Sequence, residues 1–468
     1  MPTKNKFFVC FLFLIFPFIV SCGSSSYKEI MHNPEKEFYQ GNYKEAAAML
    51  LPHVNEKGKD QLLFLMECGY MLHAAGEFEN SNKVLLKAAE MVEKKPISIS
   101  KQVTSLLTNE TSTNYRGEDF EKVLIHMYLG LNYLMLDKIE AAGVEFKAVN
   151  NELRRIKSSK KNSFYKQNIM AKYLTALVYE ILAKENHDED DLEFAYKEYE
   201  QIYKLKPSLK LVQIDLQRLS KKLNYLDDYQ KWLNKFGKKD MIPVNAGELV
   251  VTYQAGLGAI KESRGSLLSN IEMKGAIYIS LNNISLEAGV TMAAILATMK
   301  NAENPFPKFT KRSNKIKYLR LKVNNKRFRT VLLENIEKTA VKNLEEDYSY
   351  LKGKLAGSIV TKAVASVTAG VAAEKLAKKA GAGSFSGLIG LVAGAGTGAA
   401  LFSQMKPDLR CWHTLPANLQ FARIFLKPGT YNIIFEFVNS YNSIVRRELK
   451  KIKIEKNKKT FYNIRTLF

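Results

Sequence analysis

The strongest constraint on the fold of this chain is an uncharged run, Ala380–Met405, in a sequence in which 25% of residues are charged. Glycines recur in it four residues apart in two series, Gly383 and Gly387, then Gly390, Gly394 and Gly398. Because glycine has no side chain, this spacing leaves a smooth strip along one helix face, where a second helix can approach closely. The run therefore predicts a helix that packs tightly against another helix.

The stretch before this run, Ile336–Lys379, is amphipathic, with lysines spread among Ala and Val. The two stretches together predict an antiparallel helical hairpin over residues 336–406, and three interpretations of it stay open. The hairpin packs on the rest of the protein, or it inserts in a bilayer, since the uncharged run reaches the ~20 residues that a bilayer requires. In the third interpretation, the glycine face joins two copies of the chain in a homo-oligomer.

The N-terminus has the pattern of a secretory signal peptide. Lys4 and Lys6 precede an apolar stretch, Phe7–Val20, that is too short for a lasting membrane span. The tetrad Ile19-Val20-Ser21-Cys22 resembles a bacterial lipobox. The resemblance implies that residues 1–21 are removed as a lipoprotein signal peptide.

Lipidation of Cys22 follows from the same resemblance, and several acyl chains would anchor the protein stably in a membrane. Residues 22–34 then comprise the lipidated cysteine and its tether. Gly23 stands where Asp would retain a lipoprotein in the inner membrane of enteric bacteria. We therefore expect a cell-envelope protein, anchored at the periplasmic face of the outer membrane.

The charge balance either favours anionic partners or reflects a lysine-rich proteome that places Lys on every surface. Lys and Arg number 70 against 47 Asp and Glu, which gives a formal net charge of +23. Phospholipid headgroups and anionic glycopolymers fit an envelope protein, whereas the signal peptide argues against nucleic acid. The C-terminal cations could face such a surface or form a solvated strand face, and they are Arg446, Arg447, Lys450, Lys451, Lys453, Lys456, Lys458 and Lys459.

Residues 35–240 carry apolar residues at three- and four-residue spacing with little Pro, which predicts helices. The turns Gly41-Asn42-Tyr43 and Gly76-Glu77-Phe78 lie close to one 34-residue tetratricopeptide period apart. Further units follow at Met127–Val149 and Tyr173–Pro207. The pattern predicts a tetratricopeptide-like (TPR-like) α-solenoid of about four repeats, which either docks partner proteins in its groove or acts as a rigid spacer.

Strands are predicted on both sides of the helical hairpin, in residues 241–335 and 407–468. They are Glu248–Tyr253, Ala276–Leu281, Lys315–Val323 paired with Phe328–Leu332, Leu419–Leu426 paired with Tyr431–Val438, Val445–Glu455 and Lys459–Leu467. The fold class is therefore α+β and multidomain. A TPR-like α-solenoid precedes a β-sandwich-like domain into which the glycine-rich hairpin is inserted.

No constellation in the sequence predicts catalysis, a metal site or a cofactor. Cys411 and His413 could share one face of a strand, but no third group that would orient the base is evident. The histidines show no metal-ligand spacing, and no glycine-rich phosphate loop is present. We therefore expect a non-enzymatic protein.

Four residues near the C-terminus are the candidate interaction or junction residues, and they are Asp408, Arg410, Trp412 and Arg423. Trp is used only twice in the chain, and here it stands among charged residues beside a Thr-Leu-Pro turn. The group either fixes the junction between the hairpin and the β domain or faces a ligand.

The C-terminal run Asp408–Arg423, followed by Lys427–Tyr431, resembles a family of bacterial envelope lipoproteins with N-terminal tetratricopeptide-like helices. Gly117–Leu124, Asn132–Leu134 and Gly247–Val251 fit the same family. The resemblance implies this architecture and no particular biochemical activity. Family members commonly carry Ser where this chain has Cys411, which argues against a catalytic thiol.

These observations predict a lipid-anchored scaffold or adaptor that docks envelope proteins through the TPR-like solenoid, for the assembly or regulation of an envelope complex. The alternative is a membrane-active or self-associating component that acts through the glycine-rich hairpin.

Overall fold

A computed structural model describes residues 27–93, 113–159, 167–239, 242–243, 245–286, 290–380 and 405–468, together with Ser386, Gly390, Gly394, Gly398 and Phe402. The predicted signal peptide, the lipidation site Cys22 and the glycines Gly383 and Gly387 lie outside the described residues.

The N-terminal half is a stack of helix pairs, and five pairs lie within its described part. They are α1 (Tyr27–Gln40) with α2 (Tyr43–Leu50), α3 (Gln61–Ala74) with α4 (Phe78–Glu93), α5 (Asp119–Met135) with α6 (Ile139–Ser159), α7 (Ile169–Glu185) with α8 (Glu189–Leu205), and α9 (Lys210–Lys222) with α10 (Leu226–Phe236). The second helix of each pair packs on the first helix of the next pair, as in a solenoid of TPR-like repeats. The pair α9–α10 adds a fifth repeat to the four that the sequence predicts.

The turn inside each pair contains one residue in the left-handed region of backbone conformation. These residues are Gly41, Gly76, Asp137, His187 and Asn224, with φ between 52° and 92°. Glycine adopts this conformation freely, and Asn, Asp and His tolerate it better than other residues. The chain therefore reverses in the same way in every repeat, and the pairs stack alike.

The strands form two four-stranded sheets and one small ribbon. They are β1 (Gly247–Ala255), β2 (Ile260–Glu262), β3 (Lys308–Thr310), β4 (Ile316–Val323), β5 (Lys326–Arg329), β6 (Val331–Glu334), β7 (Asn418–Leu426), β8 (Gly429–Asn439), β9 (Ile444–Ile454) and β10 (Lys459–Arg465). The first sheet has the order β10-β1-β7-β6, the second has the order β5-β4-β8-β9, and β2 pairs with β3. Only the β1–β10 pair is parallel among these.

The first sheet lies between the helix pairs and the second sheet. Its side chains alternate along each strand, so that Val250 and Phe421 enter the core shared with the helices. Leu249 and Ile424 enter a second core, to which the second sheet contributes Phe435. The layers are therefore helices, first sheet and second sheet, and the far face of the second sheet meets solvent.

One of the two predicted strand pairings is wrong, whereas the pairing of β4 with β5 is confirmed. β7 does not pair with β8, because β7 is hydrogen-bonded to β1 on one edge and to β6 on the other. β8 lies in the second sheet, between β4 and β9. The predicted strand Phe328–Leu332 is divided at buried Thr330, where the chain passes from the second sheet to the first.

The predicted strand Ala276–Leu281 is also wrong, because it lies inside a helix, α11 (Ile271–Asn282). The Asn270 side chain caps this helix by accepting a hydrogen bond from the Met273 amide at 2.9 Å. Met273, Ile277 and Leu281 are buried at four-residue spacing, whereas Ile279 is exposed. The apolar residues thus follow a helical period that the β-branched composition conceals. A short helix, α12 (Met292–Thr298), follows.

The helix α13 spans Ile336–Lys379, which are the bounds that the sequence predicts for the amphipathic stretch. The described glycines of the uncharged run are helical and lie against it. A Cβ atom on Gly390 would come within 2.9 Å of the Gly370 carbonyl oxygen, and one on Gly394 would come within 3.4 Å of the Gly370 Cα. The Ser366 hydroxyl donates to the Gly394 carbonyl at 2.8 Å. The face that carries these glycines is therefore occupied by α13 of the same chain.

Candidate interaction site

The polar surface of the first helices holds a segment of the chain's own C-terminal part. This docked segment, Asp408–Ala417, has neither helix nor strand and leads directly into β7. It crosses the first helices α3 and α5, and Cys411, Trp412 and Thr414 are almost fully buried there. The helix pairs therefore hold a stretch of the chain's own backbone that belongs to no helix or strand.

Glu67 is the centre of the contact with α3. Its carboxylate accepts the His413 amide at 2.6 Å and the Thr414 hydroxyl at 2.5 Å, and the Tyr27 hydroxyl donates to it at 3.2 Å. Burial raises the pKa of Glu67 to about 7, although the nearby His413 and the Thr414 hydrogen bond oppose this rise. A buried acceptor on α3 therefore fixes the register of the docked backbone.

Glu121 of α5 also accepts a backbone amide of the docked segment. Its carboxylate accepts the Trp412 amide at 2.7 Å, the Tyr115 hydroxyl at 2.6 Å and the Glu118 amide at 2.8 Å. Burial raises the pKa of Glu121 as well. Two buried carboxylates thus receive consecutive backbone amides of the docked segment, and buried polar groups are costly unless they are paired in this way.

Asp408 and Arg410 form an ion pair at the start of the docked segment. The Arg410 guanidinium contacts both carboxylate oxygens of Asp408, with Nη2 at 2.7 Å from Oδ2. Its Nη1 also donates to Asp60 at 2.6 Å and to the Thr113 carbonyl at 3.1 Å. The guanidinium therefore joins the docked segment to Asp60, which precedes α3, and to Thr113, which follows α4.

Trp412 fills the apolar part of this contact. Its ring lies edge-on to Tyr70 of α3 and Tyr128 of α5, with ring centroids 6.2 and 5.9 Å away. Such aromatic pairs add to the free energy that burial of the large side chain already supplies.

Arg423, the fourth candidate residue, lies apart from the other three, in a second buried cluster. Its side chain is 1% exposed and joins β7 to the later repeats through Asp215 at 2.7 Å and Glu180 at 2.9 Å. Glu248 of β1 lies 2.7 Å away. Burial alone would raise the pKa of Glu180, but the cations Arg218, Arg423 and Lys459 hold it well below its usual range.

A neutral histidine, His73 of α3, joins α5 to the first sheet. His73 Nδ1 lies 2.5 Å from Asn132 Oδ1, and the Asn132 amide nitrogen is already donated to Ser81 and Asn82. Nδ1 therefore carries the proton, and Nε2 accepts from Gln254 of β1 at 2.5 Å. Burial lowers the pKa of His73 to about 4, so that the ring is uncharged at neutral pH.

Cys411 and His413 come together with a third group, Glu35 of α1. His413 Nδ1 lies 2.5 Å from the Glu35 carboxylate. Burial would lower the pKa of His413, but the neighbouring Cys411 sulfur and Glu35 raise it well above the usual value. His413 and Glu35 border a pocket of about 570 Å³. Cys411 itself is only 1% exposed, so that its sulfur has no open path to a substrate in this structure.

The sequence therefore singled out the docked segment and missed its partners. Asp408, Arg410 and Trp412 lie together on α3 and α5, whereas Arg423 contacts α7 and α9. Glu67 had a detectable signal, because it is the one acidic residue in the apolar stretch Leu62–Leu72. A charge inside such a stretch must find a buried partner.

The fold defines a protein of stacked TPR-like helix pairs with an appended, closely packed β part. No family model and no curated protein matches the chain. Among solved structures it is similar to MamA, with 16% identity and a TM-score of 0.27 over 43% of this chain and 91% of that one. A putative kinesin light chain of Podosopora anserina with TPR-like repeats gives 12% identity and a TM-score of 0.30 over 44% and 91% of the two chains.

A tetratricopeptide repeat protein from Parabacteroides merdae gives 13% identity and a TM-score of 0.22 over 47% of this chain and 81% of that one. Scores of this size, over less than half of the chain, identify neither a family nor an activity.

Proposed function

We propose that the protein is a lipid-anchored cell-envelope scaffold without a catalytic role, and that it docks partner proteins through the outer surface of its helix pairs. The observation that carries this proposal is the distribution of exposed apolar side chains on the solenoid. Among its described residues, every large apolar side chain that is exposed lies on, or directly after, the second helix of a pair.

These side chains span all five pairs, and they are Met49, Leu51, Leu86, Met91, Val144, Phe194, Leu205 and Leu226. Val144 is 64% exposed and Phe194 is 49% exposed. Single exposed apolar residues are common. The first helices are covered by the chain itself, so the second helices present the apolar side chains that a partner can reach.

The sequence predicted that partners dock in the groove of the solenoid. The surface formed by the first helix of each pair, here called the first-helix surface, is already occupied by the chain itself. Glu67, Glu121 and Asp215 already hold the docked segment and Arg423. A partner that used this surface would have to displace a buried stretch of the chain itself. The second-helix surface requires no such displacement, and it therefore fits the scaffold function better.

The test is site-specific photo-crosslinking in membranes of the native host. A photoreactive residue at Val144 or Phe194 is expected to give the same discrete protein adducts, because both positions lie on the proposed surface. The matched control is Tyr350 of α13, which is also exposed but lies outside the helix pairs. Adducts of equal yield at Tyr350, or none at Val144 and Phe194, would contradict the proposal.

One observation favours the alternative function, a membrane-active component. α13 contains an 18-residue window with mean hydropathy 1.5, so it is long and apolar enough to cross a membrane by length and composition, and 44% of that window is buried inside the protein. If α13 inserts, alkaline extraction should leave a Cys22→Ala variant in the membrane fraction. Its release would exclude stable insertion.

A further inference from the structure

The outer face of the second sheet is a basic surface that the scaffold function does not use. Residues directly opposite each other on neighbouring strands share one face of a sheet. The pairing Arg329–Arg320–Glu436–Arg447 across β5, β4, β8 and β9 therefore defines one row of this face. It points away from the second core, to which the intervening residues Leu321 and Phe435 belong.

This face is strongly cationic. Its charged residues on the four strands are Arg320, Lys322, Arg327, Arg329, Arg447, Lys451 and Lys453, with Glu436 as the one acid among them. Seven cations and one carboxylate leave a net charge of +6 on one face of the sheet.

The acid at its centre is already neutralised. Glu436 accepts Arg320 Nε at 2.6 Å and Arg447 Nε at 3.2 Å. Lys453 pairs with Glu455 at 3.0 Å, just beyond the strand. Within the described chain, no carboxylate lies within ion-pair distance of Lys322, Arg327, Arg329 or Lys451. The unpaired charge is therefore available to an external anion.

Apolar side chains stand between these cations. Leu449 pairs with Ile434 on the same face and is 64% exposed. Tyr441, in the turn between β8 and β9, is 87% exposed. A soluble polyanion would pair with the cations and leave Leu449 in water. The interface of a bilayer offers both headgroup charge and apolar acyl chains.

We propose that this outer sheet face binds the surface of a bilayer that contains anionic phospholipids. Four neighbouring strands, each about 4.8 Å from the next, give several cations access to such a surface at once. The inference goes beyond the proposed scaffold function and does not depend on lipidation of Cys22. It gives the protein a second contact with a membrane, on the side opposite the helix pairs.

The test is sedimentation of the unlipidated chain, starting at Gly23, with vesicles of phosphatidylcholine alone or of equal parts phosphatidylcholine and phosphatidylglycerol. Binding to the anionic vesicles only, weakened by salt, is expected. The triple variant Lys322→Gln, Arg327→Gln and Lys451→Gln removes three of the unpaired cations and should lose about 100-fold in partition coefficient, because each cation near such a surface contributes about fivefold. The matched control, Lys57→Gln, Lys210→Gln and Lys222→Gln, removes the same charge from exposed solenoid lysines and should bind like the unaltered chain.

A fourth variant separates a bilayer from a soluble polyanion. Leu449→Ser should weaken binding to the anionic vesicles and leave binding to heparin unchanged. Thermal unfolding of each variant, compared with the unaltered chain, verifies that these surface changes preserve the fold. The proposal is overturned by absence of binding to anionic vesicles, by equal losses in both triple variants, or by an effect of Leu449→Ser on heparin but not on vesicles.

Discussion

The Glu67 carboxylate accepts a hydrogen bond from the His413 backbone amide at 2.6 Å, and 346 sequence positions separate the two residues. This bond and the one from Trp412 to Glu121 join the N-terminal helix pairs to the end of the chain. The helix pairs therefore hold a segment of the protein's own C-terminal part. The first-helix surface, which could bind a peptide in an isolated solenoid, contributes here to stability.

Removal of the Glu67 carboxylate should destabilise the whole chain. Glu67→Ala would leave the His413 amide and the Thr414 hydroxyl buried without their acceptor, which is expected to lower the free energy of unfolding by about 3 kcal/mol. Glu67→Gln keeps an acceptor oxygen and should lose less. Denaturation by urea measures both changes, with exposed Glu79→Ala as the control. A Glu67→Ala variant as stable as this control would contradict the role assigned to Glu67.

Arg423 should be at least as important, because it neutralises Glu180, Asp215 and Glu248 in a buried cluster. Arg423→Met leaves buried carboxylates without their main cation, and a loss of about 3–5 kcal/mol is expected. The exposed pair Arg155–Glu152 provides the control, since Arg155→Met should cost less than about 1 kcal/mol. Equal losses in the two variants, measured by the same urea denaturation, would argue against the structural role of Arg423.

Glu334 should make stability fall as the pH rises. Burial raises its pKa from 4.5 to about 8, and the Thr339 hydroxyl donates to it at 3.1 Å. Between these two pH values the folded chain binds the proton and the unfolded chain does not. The free energy of unfolding therefore falls by about 1.4 kcal/mol for each pH unit in this interval.

Glu334→Gln cannot titrate, so its stability relative to the unaltered chain should increase as the pH rises from 4.5 to about 8. Comparing the two proteins removes the contribution of other groups that titrate in this range. A difference that stays constant over the interval would show that Glu334 is ionised in the folded state.

Lipidation of Cys22 remains a prediction from the sequence, and metabolic labelling with a palmitate analogue tests it directly. Cys22→Ala should abolish the label, because the thiol that carries the diacyl group is removed. Cys10→Ala, a change inside the predicted signal peptide, should keep it. Label that persists in Cys22→Ala would disprove the lipobox interpretation.

Local signals in the sequence predicted the helices well. The bounds of α13 were predicted from the amphipathic stretch Ile336–Lys379, and the turns at Gly41 and Gly76 mark the first repeats. The strand predicted at Ala276–Leu281 was wrong because β-branched residues there follow a helical period. A short apolar segment can be assigned to a strand or a helix only when the spacing of its apolar residues is clear.

The contacts between distant parts of the chain were beyond sequence reasoning. Trp412 and Arg410 were recognisable as unusual, but nothing local pairs them with Glu121 or Asp60. The pairing of β7 with β1 and β6 likewise joins segments that lie far apart in the sequence. Tertiary packing determines these contacts, and they produce no periodic pattern in the sequence.

The docked segment is buried on the first helices of the folded chain, and the reactivity of the Cys411 thiol distinguishes this arrangement from an undocked segment. The folded chain is treated with a thiol reagent, and the labelled cysteine is identified by mass spectrometry. Cys411 is 1% exposed, so we expect it to be labelled only at the rate of unfolding, like Cys68 in the core of α3. Immediate labelling of Cys411 in native buffer, with Cys68 still protected, would show that the segment is not docked.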